Sequence, residues 1–235
     1  ALIKLNLNLK KYSFKIGKAI IRANKNIKTV LNVEPVSGEL RTRNVEFIAG
    51  EKKTKTIHKE FGMKFIVDIN DVYFSPRLAN ERKRIANQVK KDEIIVDMFT
   101  GVAPFPIVIN KFSNPKIIFA IDKNKKAIDL AEKNIRINKM YEKIKLIHGD
   151  SKNIKNLIPN EIKADRIIMN LPFSSNDFLD YAFKIIKKRC IINYYEVIDE
   201  SKIRDRIKEL KKLFQRKSIN LENIRINKIK SYTPR

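Results

Sequence analysis

Cysteine, histidine and acidic side chains are scarce in this chain. Cys190 is the single cysteine among 235 residues, so no disulfide framework can staple the fold. Within the apolar run CIINYYEVI (190–198) it reads as a strand residue rather than a nucleophile. The only histidines, His58 and His148, cannot supply a zinc-ligand cluster, and no metal is expected. No apolar run approaches the ~18 residues that a membrane span needs, and no signal-peptide core opens the chain. Internal repeats and low-complexity segments are lacking too. These absences describe a soluble, cytoplasmic protein, expected to be a monomer.

The deficit of acids is the informative one. Against 51 Lys+Arg stand 26 Asp+Glu, a formal net charge of +25. Such an excess repels itself in a compact chain unless a polyanion neutralises part of it, which points to nucleic acid or an anionic membrane surface. The alternative source of the charge is a compositional bias towards lysine, and against it stands that Asp and Glu do not rise with Lys.

Hydrophobic patterning divides the chain into residues 1–70 and 71–235. In the first part, residues 12–31 place Phe14, Ile16, Ala19, Ile20, Ala23 and Ile27 near helical spacing, which predicts a helix. A short strand-like run ends at Gly50, and KTIHKEFGMKFIVDI alternates about Phe61-Gly62 as a β-hairpin does. This is a small α+β domain. Beyond it, IIVDMF, KIIFAID, IKLIHGD, ADRIIMNLP and CIINYYEVI alternate with helical stretches, ending in the basic amphipathic segment IRDRIKELKKLFQRK. Strands buried on both faces and alternating with helices predict an α/β, doubly wound, mainly parallel sheet. The tail, 219–235, is expected to add a last strand.

Ligands of such sheets bind beyond the carboxyl ends of the strands. Four positions qualify: the turn DMFTGVAP (97–104), with Asp97, Phe99 and Gly101; Asp122 with Lys123; Asp150; and Asn170-Leu171-Pro172. Gly101 lets a ligand approach the backbone, and an acidic residue at Asp122 can accept hydrogen bonds from ribose hydroxyls. Each group alone could be a cap or a strand stop, but four successive strand ends carrying acidic or amide groups exceed what capping requires. The first turn lacks the third glycine of a dinucleotide fingerprint and offers Pro104, which has no N–H for a pyrophosphate. A Walker-type loop is absent as well. A phosphate-free nucleoside such as S-adenosylmethionine suits this turn.

The segments DVYFSPRLANERKRIA (71–86), DMFTGVAPFPI (97–107), AIDKNKKAIDLAEKNIRINK (120–139) and ADRIIMNLPFSSNDFLDYA (164–182) together resemble the archaeal and eukaryotic tRNA guanine-N1-methyltransferases. These methylate guanosine 37, immediately 3′ of the anticodon. The resemblance implies a Rossmann-like class I methyltransferase domain, S-adenosylmethionine as cofactor and the tRNA anticodon loop as partner. It implies Glu81 as the base that takes the N1 proton, Arg41 as the donor to O6, and Asn170 as a positioning group. It sets Phe61, Tyr73, Asp97, Phe99, Gly101, Asp122 on the ribose, Lys123, Asp150 near the adenine, Asn170 and Pro172 about the cofactor. Arg77, Arg82 and Lys83, with Arg41, are the expected RNA contacts, and Phe173 or Tyr194 the expected stacking groups. Two departures stand out: Ala103 occupies a position where the family's turn usually has a second glycine, and the usual N-terminal tRNA-recognition domain is expected to be missing. The alternatives are a wybutosine-pathway enzyme, which methylates C7 of the tricyclic intermediate or transfers an aminocarboxypropyl group, and a non-catalytic RNA-binding subunit. Asn170-Leu171-Pro172 favours methyl transfer among them.

Overall fold

The computed structural model describes residues 1–36 and 38–229. The first unit is a three-stranded sheet with one helix. Strand β1 (Leu2–Ile3) pairs in parallel with β2 (Thr29–Val33), which pairs antiparallel with β3 (Val45–Gly50). Helix α1 (Ser13–Ala23) packs on β3 so closely that a Cβ on Gly17 would stand 2.5 Å from Ile48 Cγ2, which explains a glycine in mid-helix. The helix is shorter than its apolar spacing predicts. Asn24 leaves the helical region, and the β-branched Thr29 and Val30 pair into the sheet instead.

The predicted hairpin forms from β4 (Lys55–Glu60) and β5 (Met63–Asp68), joined by Phe61 and Gly62 at φ +49° and +79°. Two successive positive φ values give the turn whose twist matches paired strands. Met63, Phe65 and Val67 share a buried cluster with the parallel sheet, so packing attaches the hairpin to the second unit.

That unit runs α2 (Ala79–Ala86), β6 (Ile94–Asp97), α3 (Pro104–Phe112), β7 (Ile117–Asp122), α4 (Lys125–Ile137), β8 (Ile144–His148), α5 (Ile154–Leu157), β9 (Ala164–Met169), α6 (Leu179–Ala182), β10 (Ile186–Tyr194) and α7 (Ile203–Arg216). The five strands are parallel in the order β10-β9-β6-β7-β8. This is the Rossmann-like α/β fold that the alternation predicts. Ile95, Ile118, Ala120 and Ile168 enter one cluster, and their neighbours Val96, Phe119, Ile121 and Ile167 the other, as a period of two on a sheet covered on both sides demands. Strand β6 pairs with β7 on one side and β9 on the other, which makes its carboxyl end the point where strand order reverses.

Asn134, wholly buried on α4, ties two parts of this frame together. Its side chain accepts from Ile66 N–H at 2.6 Å and donates to the carbonyls of Ile66 and Val102, both at 3.1 Å. The expected last strand is corrected: residues 219–229 form no strand, and the remainder of that segment, 230–235, lies outside the described residues. No described helix is long and apolar enough to cross a membrane.

Candidate active site

The turn leaving β6 is built around two left-handed residues, Gly101 at φ +55° and Ala103 at φ +64°. Position 103 is one where glycine is at ease and a Cβ costs on the order of 1 kcal/mol. Ala103 is also the residue before α3, whose first position is Pro104, so the helix start offers no amide cradle for phosphate. The Gly101 N–H itself donates to Asp122 Oδ2 at 2.6 Å, and Asn124 N–H to Oδ1 at 2.8 Å, pinning the end of β7 to the turn after β6. Burial nevertheless pushes the Asp122 carboxyl above its ordinary range.

Asp97, fully buried at the end of β6, is more perturbed. Burial raises its carboxyl to about 7, and the charge of Asp122 adds to the effect. Asp97 Oδ2 and Thr100 Oγ1 make no hydrogen bond of good geometry among the described residues, although the Thr100 hydroxyl lies close enough to Asp97 to oppose part of that rise. Unsatisfied buried groups at a strand-end crevice are what a bound ligand would complete. A folded carboxyl that keeps its proton to about 7, against 3.8 when free, costs the native state stability as pH rises across that interval. Asp97→Asn has no such titration. Its stability relative to wild type is therefore expected to improve steadily from pH 4 to pH 7 in denaturant melts, and a pH-independent difference would refute the shift.

Asp150 follows β8, with Oδ1 accepting from Lys152 N–H at 2.9 Å and Oδ2 from Lys123 Nζ at 3.1 Å. Burial opposes its ionisation, but the Lys152 amide and Lys123 ammonium outweigh burial and hold the carboxyl below its ordinary range. Lys123 also pairs with Glu39 of the first unit at 2.5 Å, so it links the two units at the rim of the site.

Near Glu39 the same loop delivers Arg41, a non-glycine residue held at φ +52°. Its guanidinium lies 4.2 Å from the ring centroid of Tyr73 and 5.6 Å from that of Phe173, and its buried Nε has no partner among the described residues. Tyr73 is anchored by the preceding Asp71, whose carbonyl accepts from Asn124 Nδ2 at 2.8 Å and whose carboxylate pairs with Lys126 at 2.7 Å. The Tyr73 carbonyl stands 3.8 Å from the place a Gly101 Cβ would take. Arg41, Tyr73, Glu81, Asn170 and Pro172 line one groove.

Glu81 on α2 is 5% exposed, a depth unusual for a carboxylate. Arg84 holds it in a two-pronged pair, Nε to Oε2 and Nη2 to Oε1, each 2.7 Å, and Tyr195 Oη donates to Oε1 at 2.7 Å. Nothing in the sequence singles out Tyr195, which stands at the carboxyl end of β10. Its neighbour Tyr194, an expected stacking group, has its hydroxyl bound by Arg206 at 3.0 Å. Phe99 packs edge-to-face on Phe178 at 4.8 Å, behind the β6 turn.

Three expectations are corrected. Phe61 does not face the strand-end crevice. Strand β5 runs alongside α4 with Lys64 bonded to Asn138 and Ile66 to Asn134, which leaves the hairpin turn beside the C-terminal ends of α4 and α3. There Phe61 packs at 5.8 Å on Phe112, the last residue of α3, at the end of the sheet where the parallel strands begin. Lys83 lies over the same Phe112 ring at 2.9 Å, away from Glu81. Arg82 is 1% exposed and spent inside the protein: Nε and Nη2 donate to Glu60 at 2.7 and 2.6 Å, and Nη1 to the Ser75 carbonyl at 3.3 Å. It has no face to offer a phosphate. Arg77, by contrast, is exposed.

Carboxylates ending three adjacent strands, a small-residue turn without phosphate donors and unsatisfied polar atoms beside it suit a cationic, phosphate-free nucleoside. Fold and site together define a Rossmann-like, S-adenosylmethionine-dependent methyltransferase. Residues 56–222 match the model of the TRM5/TYW2 methyltransferase domain, and residues 1–54 that of the TYW2 N-terminal domain. The chain belongs to the TRM5/TYW2 methyltransferase family. It is 39% identical over its whole length to the tRNA (guanine(37)-N(1))-methyltransferase Trm5b of Pyrococcus abyssi, of which it spans 69%. It is 42% identical over 85% of its length to the Trm5b of Methanocaldococcus jannaschii, of which it spans 55%. A tRNA(Phe) (4-demethylwyosine(37)-C(7)) aminocarboxypropyltransferase of the latter organism is 34% identical over 92% of this chain and 85% of that protein. A solved complex of aTrm5 with tRNALeu superposes with a TM-score of 0.83 at 38% identity, covering all of this chain and 66% of that one.

Proposed function

We propose that this chain carries the active centre of a tRNA methyltransferase that transfers a methyl group from S-adenosylmethionine to N1 of guanosine 37. The observation that supports the reading is that Arg41, Glu81 and Asn170 all line one extended groove, which Asn170 enters from just beyond the carboxyl end of β9. N1 of guanine holds a proton and becomes nucleophilic as that proton leaves, while negative charge grows on O6. A carboxylate at N1 and a cationic donor at O6 meet both needs. Glu81 takes the proton, the N1–H electron pair remains on the base to form the N1–C bond, and the pair of the breaking C–S bond goes to sulfur. Arg41, fixed between two aromatic rings, donates to O6. Asn170 positions the base. The cofactor supplies the sulfonium-activated methyl group, and its placement by Tyr73, Asp97, Phe99, Gly101, Asp122, Lys123, Asp150 and Pro172 contributes alignment. Arg77 is the phosphate contact that its exposure supports. The enzyme acts as a monomer in the cytoplasm, without metal.

A second reading has its own support: the match of residues 1–54 to the TYW2 N-terminal domain favours the aminocarboxypropyl reaction. One experiment separates the readings. With cofactor labelled in the methyl group, a G37 transcript is expected to take up label and an A37 transcript to take up none. With the label in the carboxyl group, the acceptor is tRNA carrying 4-demethylwyosine at position 37, the nucleotide named for the related aminocarboxypropyltransferase, and no uptake is expected. Equal methyl labelling of both transcripts overturns the target, and uptake of carboxyl label establishes the second reaction. Binding of cofactor and tRNA without transfer to the G37 transcript or to the 4-demethylwyosine tRNA establishes a non-catalytic role.

A further inference from the structure

We infer that Arg84 and Tyr195 are positioning residues that fix the Glu81 carboxylate for proton abstraction and leave one acceptor position, on Oε2, open for the substrate. The inference rests on the reading of Glu81 as the base. A carboxylate has about four acceptor positions. Three are filled here: Oε1 receives Arg84 Nη2 and Tyr195 Oη, and Oε2 receives Arg84 Nε, each at 2.7 Å. The unfilled position belongs to Oε2.

Both partners are themselves fixed. Tyr195 is buried and packs its ring 6.0 Å from Phe105 of α3, the helix that opens at the cofactor turn. Burial, reinforced by the Glu81 charge, pushes its phenol upward, so the hydroxyl keeps its proton and remains a donor. Arg84 stands one turn along α2 from Glu81, and its hydrogen bond with Glu81 raises the guanidinium further above its ordinary range, so it stays charged. A carboxylate buried to this depth needs such partners to satisfy its oxygens and to hold one orientation. Without them it is free to turn, and a misplacement of about 1 Å can cost on the order of 100-fold in rate. Arg84 also lines the groove and is 35% exposed at its side chain, so its removal leaves no cavity in the core.

The test uses the full chain in single-turnover methyl transfer to the G37 transcript, with Arg84→Ala, Tyr195→Phe and Glu81→Gln compared. Arg84→Ala is expected to lower the rate constant about 10- to 100-fold and Tyr195→Phe by less, with the apparent KM for transcript and the Kd for cofactor within about twofold of wild type. Millimolar guanidinium is expected to restore part of the rate to Arg84→Ala and none to Glu81→Gln. A raised KM with an unchanged rate constant in Arg84→Ala makes it a phosphate contact and overturns the inference. So do unchanged rates in both variants while Glu81→Gln is inactive, and in that case the reading of Glu81 as base survives. An active Glu81→Gln overturns that reading and this inference together.

Discussion

Glu81→Gln is expected to lower the single-turnover rate of methyl transfer by roughly 10²- to 10⁴-fold, the usual range for loss of a general base, while the affinity for S-adenosylmethionine stays within about twofold. The amide keeps the shape of the side chain and loses the capacity to take a proton. The groups proposed to hold the cofactor, Asp97, Asp122 and Asp150, stand at or just beyond the ends of β6, β7 and β8, whereas Glu81 projects from α2, so the two proposed functions fall on separate elements. Intact cofactor binding, followed by equilibrium titration, also certifies that the variant is folded. A parallel collapse of cofactor affinity would assign Glu81 to the binding pocket instead and defeat the proposed base.

Arg82→Ala, one position along the same helix, is expected to act on stability. Its guanidinium bonds Glu60, whose side chain is 4% exposed, at 2.6 Å. Removing the cation strands a carboxylate in the interior between the hairpin and α2, a change that typically costs about 3–5 kcal/mol. Among the described residues, His58, 3.2 Å from the same carboxylate, is the one other ionisable side chain paired with it, and it is charged only when protonated. The measurement is a urea melt with the midpoint compared at constant slope. The competing outcome is equally concrete. Were Arg82 a phosphate contact, the melt would be unchanged and the salt dependence of tRNA binding would weaken by about one unit of slope.

This pair of neighbours shows where sequence reasoning succeeds and where it stops. Strand ends are local features: a period-two apolar run closed by a polar residue announces both the strand and the place where its last side chain emerges. Asp97, Asp122, Asp150 and Asn170 were legible for that reason, as was the phosphate-averse turn, since Pro104 lacks an N–H wherever it is placed. The same logic located the hairpin through Phe61-Gly62. It could not say which end of the sheet's strands the hairpin turn would reach, because that depends on Asn134 and Asn138 of α4, some 70 residues away, bonding to β5. Phe61 lies far from the crevice as a result.

Side chains on α2 were the least legible. Glu81, Arg82, Lys83 and Arg84 are consecutive charged residues, and in a chain of net charge +25 each reads as a solvated surface group. A helix turns by about 100° per residue, so the four project in different directions, and each direction acquires its meaning from what lies there. Glu81 meets Tyr195, 114 residues on; Arg82 meets Glu60 of the hairpin; Lys83 meets Phe112. The sequence by itself determined the alternation of strands and helices, the four strand-end groups and the kind of ligand that the turn admits, since these follow from local periodicity and backbone chemistry. Only the tertiary structure decided which charged residues of α2 line the groove and which is locked in the interior, because that choice is made by partners distant in sequence and by the burial that their packing imposes.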